Sequence, residues 1–192
     1  MQTLVLASTS RFRKTVLEKL GVPFEVHAPD IDETIHHGET PSALVERLAC
    51  EKAAAVASHY PNALIIGSDQ VAVIDGQIVG KPGNHDNAVI QLQRASGKTV
   101  RFYIGLCLLN TATKNVQSGV ETFDVVFRTL NDQQIENYLR ADKPYDSAGS
   151  FKSEGLGIAL FERLQGDDPN TLIGLPLIRL VKMLEAEGFN VI

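Results

Sequence analysis

Residues 3–7 (TLVLA) form a short, nearly continuous apolar run and read as a buried strand. Ser8-Thr9-Ser10 interrupts it. Phe12, Val16, Leu17 and Leu20 then recur at helical spacing, which predicts a helix from Arg11 to Leu20 with Ser10 as its N-cap and Gly21 and Pro23 as its stop. Residues 24–27 (FEVH) read as a strand, Ala28 to Glu39 as a polar loop. A second helix is expected from Pro41, capped by Thr40, to about His59. Residues 63–67 and 71–74 read as two strands parted by the polar triplet Ser68-Asp69-Gln70. Asp75-Gly76 turns the chain back into Gln77–Val79.

Beyond the loop Gly80-Lys81-Pro82-Gly83, Asn84 to Arg94 reads as a helix. From Thr99 to Leu109 the pattern alternates, with Val100, Phe102, Ile104, Leu106 and Leu108 on one face. Val116 to Phe127 is its expected hairpin partner across Asn110–Asn115. Asn131 to Arg140 reads as a helix and Asp146 to Gly157 as a glycine-rich loop. Residues 158–163 read as a strand, and the last helix lies within Gly174 to Gly188. Strands and helices mix along the whole chain and no linker separates them. The expected fold is therefore α/β with a mixed sheet, in one domain or two small lobes sharing a core.

Composition narrows the function. The chain has 192 residues, 44% hydrophobic and 21% charged, which excludes a disordered, collagenous or coiled-coil chain. A net charge of -5 argues against a non-specific nucleic-acid coat. Two cysteines, Cys50 and Cys107, support neither a disulfide framework nor a four-thiolate zinc site, and both sit in apolar stretches as expected of core residues. The longest apolar run, Leu172 to Ile178, is far short of the ~20 residues that span a bilayer, and it contains Gly174 and Pro176. The first residues lack the basic segment and apolar length of a secretion signal, so the expected location is cytoplasmic.

Four features carry candidate chemistry. Ser8, Thr9 and Ser10, with Arg11, Arg13 and Lys14, crowd a strand-to-helix junction, where free N–H groups and the helix dipole favour a phosphate; a capped surface helix is the alternative. Lys52 lies in the middle of the apolar arc of its helix: with Leu44 at zero, Leu48, Lys52, Val45 and Val56 fall at about 40°, 80°, 100° and 120°. Its ammonium must either snorkel to water or meet an anion. Asp69 interrupts apolar sequence, and Glu33 sits in a polar loop; hard carboxylate oxygens suit magnesium or manganese arriving with phosphates, whereas a turn at a sheet rim is the plainer reading of Asp69. Lys81 is a loop cation following a strand. Together these suggest a nucleotide polyphosphate with a divalent ion.

The order of motifs resembles the Maf-type nucleoside triphosphate pyrophosphatases from about Leu4 to Leu177. The motifs are Ala7-Ser8-Thr9-Ser10-Arg11-Phe12-Arg13, Asp32-Glu33-Thr34, Glu51-Lys52-Ala53, Gly67-Ser68-Asp69-Gln70, Gly80-Lys81-Pro82, Asp146-Ser147-Ala148-Gly149, Phe151-Lys152-Ser153-Glu154-Gly155 and Gly174-Leu175-Pro176. The resemblance implies a Maf/Ham1-like fold over residues 1–192, an elongated mixed sheet flanked by helices with two lobes around a central cleft. It also implies hydrolysis between the α and β phosphates of a nucleoside triphosphate, with a divalent metal cation (Mg2+ or Mn2+).

Within that family the sequence is most similar to the branch acting on 7-methyl-GTP, which typically has tryptophan, glutamine and glutamate where this chain has Phe12, Gln70 and Glu154. The dTTP/UTP branch typically has arginine, threonine and glutamine there. Arg11 departs from the family's usual proline, and Lys14 from the close branch's arginine. An aromatic face attracts the cationic 7-methylguanine, and a carboxylate can accept from the guanine N1–H and amine. By resemblance, Asp69 is the proton acceptor, and Glu33 with Asp69 binds the metal. Ser8, Ser10, Arg13, Lys52 and Lys81 hold the phosphates, and Phe12, Gln70 and Glu154 select the base. The expected partner is a nucleoside triphosphate, with no nucleic-acid polymer and no membrane; the sequence leaves the oligomeric state open, a homodimer included. The alternatives are a dTTP/UTP pyrophosphatase and a nucleotide-binding regulator of cell division without turnover.

Overall fold

The computed structural model describes residues 2–192. Seven strands form one mixed sheet: β1 (Thr3–Ala7), β2 (Glu25–His27), β3 (Ala63–Ile74), β4 (Gln77–Val79), β5 (Thr99–Asn110), β6 (Val116–Phe127) and β7 (Phe161–Gln165), in the order β2-β1-β3-β5-β6-β7, with β4 paired to β3. The helices are α1 (Arg11–Glu18), α2 (Pro41–Ala55), α3 (His85–Ala95), α4 (Asp132–Asp142), α5 (Pro169–Ile173) and α6 (Leu177–Ala186). The expected α/β class with a mixed sheet is what the chain adopts. Among the described residues no helix is long and apolar enough to cross a membrane.

Contacts divide the chain into two compact units. The first comprises Met1–Gln70, Ile104–Glu121 and Asp168–Ile192, and the second Val71–Tyr103 and Thr122–Asp167. In the first, β1 pairs parallel to β2 on one side and to β3 on the other. The pleat sends alternate residues to opposite faces. Leu4, Leu6, Leu64, Ile66, Leu106 and Leu108 pack with Val16 and Leu17 of α1 and with Leu180 and Leu184 of α6. Val5, Ala7, Ala63, Ile65 and Cys107 pack with Ala49 and Ala53 of α2. Cys107 is thus a core residue as expected, while Cys50 is half-buried against the same cluster.

Helix α2 lies unusually close to the sheet. A Cβ added to Gly67 would stand 2.0 Å from the carbonyl oxygen of Ala49, and one added to Gly105 would stand 1.9 Å from that of Val45. Both glycines are therefore needed for lack of a side chain, not for a special backbone angle. In the second unit, the β3–β4 hairpin turns on Asp75 (φ 50) and Gly76 (φ 73). Its core holds Phe102, Phe127, Phe151 and Phe161, with edge-on ring centroids 4.9 to 5.5 Å apart.

Three expectations need correction, and one helix was not expected. Residues 63–74 are one strand, because Ser68, Asp69 and Gln70 each find a hydrogen-bond partner through their side chains and the backbone need not leave the sheet. Helix α2 ends at Ala55, and a separate 3-10 turn covers Ala57–His59. The expected strand at 158–163 is displaced: Leu156–Leu160 is a 3-10 turn, and β7 follows it. Residues 169–173 form α5, which apolar periodicity did not show; its signal is Asp168 as N-cap followed by Pro169. We expect Gly105→Ala to destabilise the protein by about 1–3 kcal/mol through overpacking against α2, read from urea unfolding.

Candidate active site

The site is built where β1 ends and β3 runs on. Ala7, the last residue of β1, pairs with Gly67, so Ser68, Asp69 and Gln70 continue past the carboxyl end of the neighbouring parallel strand. Ligand sites of open α/β sheets lie at such ends. The pleat then sorts the triplet. Asp69 shares the Gly67 face, toward α2, and Ser68 and Gln70 share the face of Leu64 and Ile66, toward α1 and the α5–α6 turn.

On the α2 face Lys52 is 6% exposed and Asp69 7%, and their side chains meet at 2.6 Å. Lys52 Nζ also lies 2.8 Å from Glu33 Oε1. The apolar-arc lysine thus meets anions instead of snorkelling, and the two expected acidic residues converge on it. Leu44, Val45, Leu48, Ala49 and Ala53 bury the same side of α2, so the lysine stem is packed and its head has one direction to go. Burying such charges is costly unless they are paired, and the pairing is present.

The loop that carries Glu33 is tied down by Arg47 and Glu39, which no motif marks, and by Asp32 and Thr34 of the motif itself. Arg47 donates through Nε and Nη2 to the two Glu39 oxygens, at 2.7 and 2.8 Å, and through Nη2 to the Thr34 carbonyl at 3.1 Å. Asp32 accepts from both the backbone N–H and the hydroxyl of Thr34. The Arg47 guanidinium holds the Glu39 carboxyl down to about 2. Arg47 is a polar residue between Val45 and Leu48 on α2, eight positions from Glu39; only the folded loop brings them together.

On the other face Ser10 caps α1, accepting from the Arg13 N–H, and the buried Ser8 hydroxyl accepts from the Ser10 N–H at 3.1 Å. Arg13 Nε donates to the Gly174 carbonyl at 2.9 Å, and Nη1 donates to Ser8 Oγ at 3.4 Å. Burial lowers the Arg13 guanidinium from its ordinary value, and the carboxylates of Asp69 and Glu33 act in the opposite sense. Ser68 Oγ lies 2.8 Å from both the Gly174 and Gly105 carbonyls, and Gln70 Nε2 donates to the Leu172 carbonyl. Gly174 (φ 112) is therefore the point on which Arg13 and Ser68 are both fixed. Phe12 is half-buried, and the Arg11 guanidinium stands 4.8 Å above its ring.

The first unit thus contains Ser8, Ser10, Phe12, Arg13, Glu33, Lys52, Asp69 and Gln70. Lys81 and Glu154 belong to the second unit, and both are exposed. Lys81 lies in the loop after β4. Glu154 lies in a turn where the nearby Lys152 is pinned by the Asp142 carbonyl at 2.8 Å and, through its backbone N–H, by the Tyr138 hydroxyl.

The sequence matches a family model described as "Maf-like protein" over residues 3–187. It is 60% identical to a 7-methyl-GTP pyrophosphatase of Colwellia psychrerythraea, over 100% of this chain and 96% of that protein. It is 58% identical to a 7-methyl-GTP pyrophosphatase of Nitrosococcus oceani, over 99% and 96%. Among solved structures the Staphylococcus aureus Ham1 protein shares the fold, with a TM-score of 0.57 and 14% identity, covering 97% of this chain and 100% of that one. Replacing Ser68 by alanine is expected to leave its buried surroundings short of a donor, at a cost of about 1–3 kcal/mol in thermal or urea unfolding.

Proposed function

The chain belongs to the Maf-like family, and we propose that it hydrolyses 7-methyl-GTP to 7-methyl-GMP and diphosphate, removing a modified nucleotide. The observation that carries this reading is the buried Lys52–Asp69 pair with Glu33 beside it, in a chain closely similar to two proteins named for that activity. Ser8, Ser10, Arg13 and Lys52 supply hydroxyls and cations for the triphosphate, with Lys81 added by the family resemblance. Asp69 accepts the proton of the water that attacks the α–β phosphoanhydride, and the diphosphate departs with its negative charge held by the cations.

Glu33 and Asp69 direct carboxylate oxygens at one cationic nitrogen, at 2.8 and 2.6 Å. Two hard donors converging in this way fit Mg2+ or Mn2+. A bound divalent ion would supply further neutralisation of phosphate charge. A cytoplasmic setting and a homodimer accompany this reading.

The family resemblance assigns Phe12, Gln70 and Glu154 to the base. Phe12 would offer its ring to the cationic base, a role supported by the Arg11 guanidinium 4.8 Å from its ring centroid. Gln70 is already engaged through Nε2 with the Leu172 carbonyl, which leaves its amide oxygen to accept from a base.

The reading is tested by diphosphate release from 7-methyl-GTP, GTP, dTTP, UTP and CTP, with magnesium and with chelator. Preference for 7-methyl-GTP is expected. Preference for dTTP or UTP would retain the reaction and overturn the base assignment, and binding without turnover would favour a regulator. In Asp69→Asn, turnover is expected to fall by about 10²–10⁴-fold while the circular dichroism spectrum is unchanged. Arg11 competes with a cationic base for the Phe12 ring, so Arg11→Gln is expected to lower the ratio of KM for 7-methyl-GTP to KM for GTP by about two- to fivefold. Using the ratio cancels any effect of Arg11 on the shared triphosphate.

A further inference from the structure

The role inferred below for Lys52 rests on the proposed placement of a divalent ion at Glu33 and Asp69. In the folded chain these carboxylates are already neutralised. Lys52 Nζ touches both, at 2.8 and 2.6 Å, and Arg13 lies within electrostatic reach of both. The two anions therefore touch one cation, Lys52, and lie in the field of a second, Arg13, which is held by Gly174 and Ser8. A divalent cation added alone would bring positive charge to a balanced cluster, part of it away from bulk water, where repulsion is weakly screened. A triphosphate brings more negative charge than the ion brings positive, and hard divalent ions usually arrive on such phosphates.

We infer that Lys52 is the resident counter-cation of the metal site, so that the empty enzyme does not hold the ion, and the ion enters with the nucleotide. Either cation would keep the ion out, but lysine suits the later passage to phosphate better than arginine. Its ammonium is a compact point charge on a flexible stem, able to pass from carboxylate to phosphate without breaking a bidentate fork. The stem lies on the buried side of α2, which Leu48, Ala49 and Ala53 share, so the head is the part free to exchange partners. Glu33, on an exposed loop, is the partner able to yield: its side chain is 59% exposed, against 10% for Asp69.

The test is a titration of nucleotide-free protein with Mn2+, following the free ion by its paramagnetic resonance signal. Wild type is expected to leave the signal unattenuated over a range in which Lys52→Met takes up the ion stoichiometrically, a difference of at least about tenfold in affinity. Adding Glu33→Gln to Lys52→Met should abolish the uptake, which ties it to this site. Lys52→Arg, retaining the charge, should behave as wild type. Lys52→Gln takes the place of Lys52→Met if that protein does not fold. Stoichiometric uptake by nucleotide-free wild type, with an affinity equal to that of the uncharged variant, overturns the inference. No nucleotide is present, so this outcome is separate from hydrolysis. An enzyme that releases diphosphate only with metal, yet binds Mn2+ equally in both forms, would lose this inference and keep the proposed function; one that releases none would lose the function.

Discussion

A single ammonium group, that of Lys52, holds two carboxylates from separate parts of the chain at the end of a parallel strand pair. Neither Lys52 nor Asp69 could be buried alone, since an isolated charge out of water is far too costly. Their meeting depends on how closely α2 lies on the sheet, and that closeness depends on Gly67 and Gly105. Gly67 lies on the Asp69 face, one pleat earlier, and its close neighbour Ala53 follows Lys52. The steric condition for helix packing and the placing of the charges are thus one feature.

The opposite face of β3 has a different organising point. There the Gly174 carbonyl accepts from Arg13 and faces the Ser68 hydroxyl, and the Leu172 carbonyl accepts from Gln70. A backbone turn between two helices serves as the fixed frame for side chains drawn from α1 and β3. Asp168 secures that turn, capping α5 through Oδ1 and accepting from the Ile178 N–H of α6 through Oδ2. Groups suited to proton transfer and metal binding therefore stand on one side of the strand. Ser8, Arg13 and Gln70 stand on the other side, while Lys52 stays with the carboxylates, and the strand backbone fixes the relation between the two groups.

This division explains why a polar triplet sits in the middle of a twelve-residue strand. Polar residues usually end a buried strand because their side chains lack partners there. Ser68, Asp69 and Gln70 each have one, supplied by β5 and the α5–α6 turn, by α2, and by α5 respectively. The chain keeps its sheet hydrogen bonds, and these side chains inherit the rigidity of the sheet.

Several parts of this arrangement were legible before folding. Helical spacing around Leu44 placed Lys52 on a buried face, Ser10 and Thr40 announced their helices, and the alternation from Val100 to Leu108 announced the long hairpin, because these depend on neighbours a few residues away. The chemistry of Asp69 and Glu33 was legible as carboxylates on polar ground, but not their convergence, which joins residues 17 and 19 positions from Lys52 through a loop fastened by Arg47. The continuity of β3, the helix α5 and the Gly174 frame were not legible either. Each turns on a partner distant in sequence, and local pattern carries no information about which distant group will satisfy a buried polar atom. The sequence alone therefore determined which side chains must be buried and which chemistry they bring; the tertiary structure decided which of them meet, because a buried charge or donor takes its position from the partner that neutralises it.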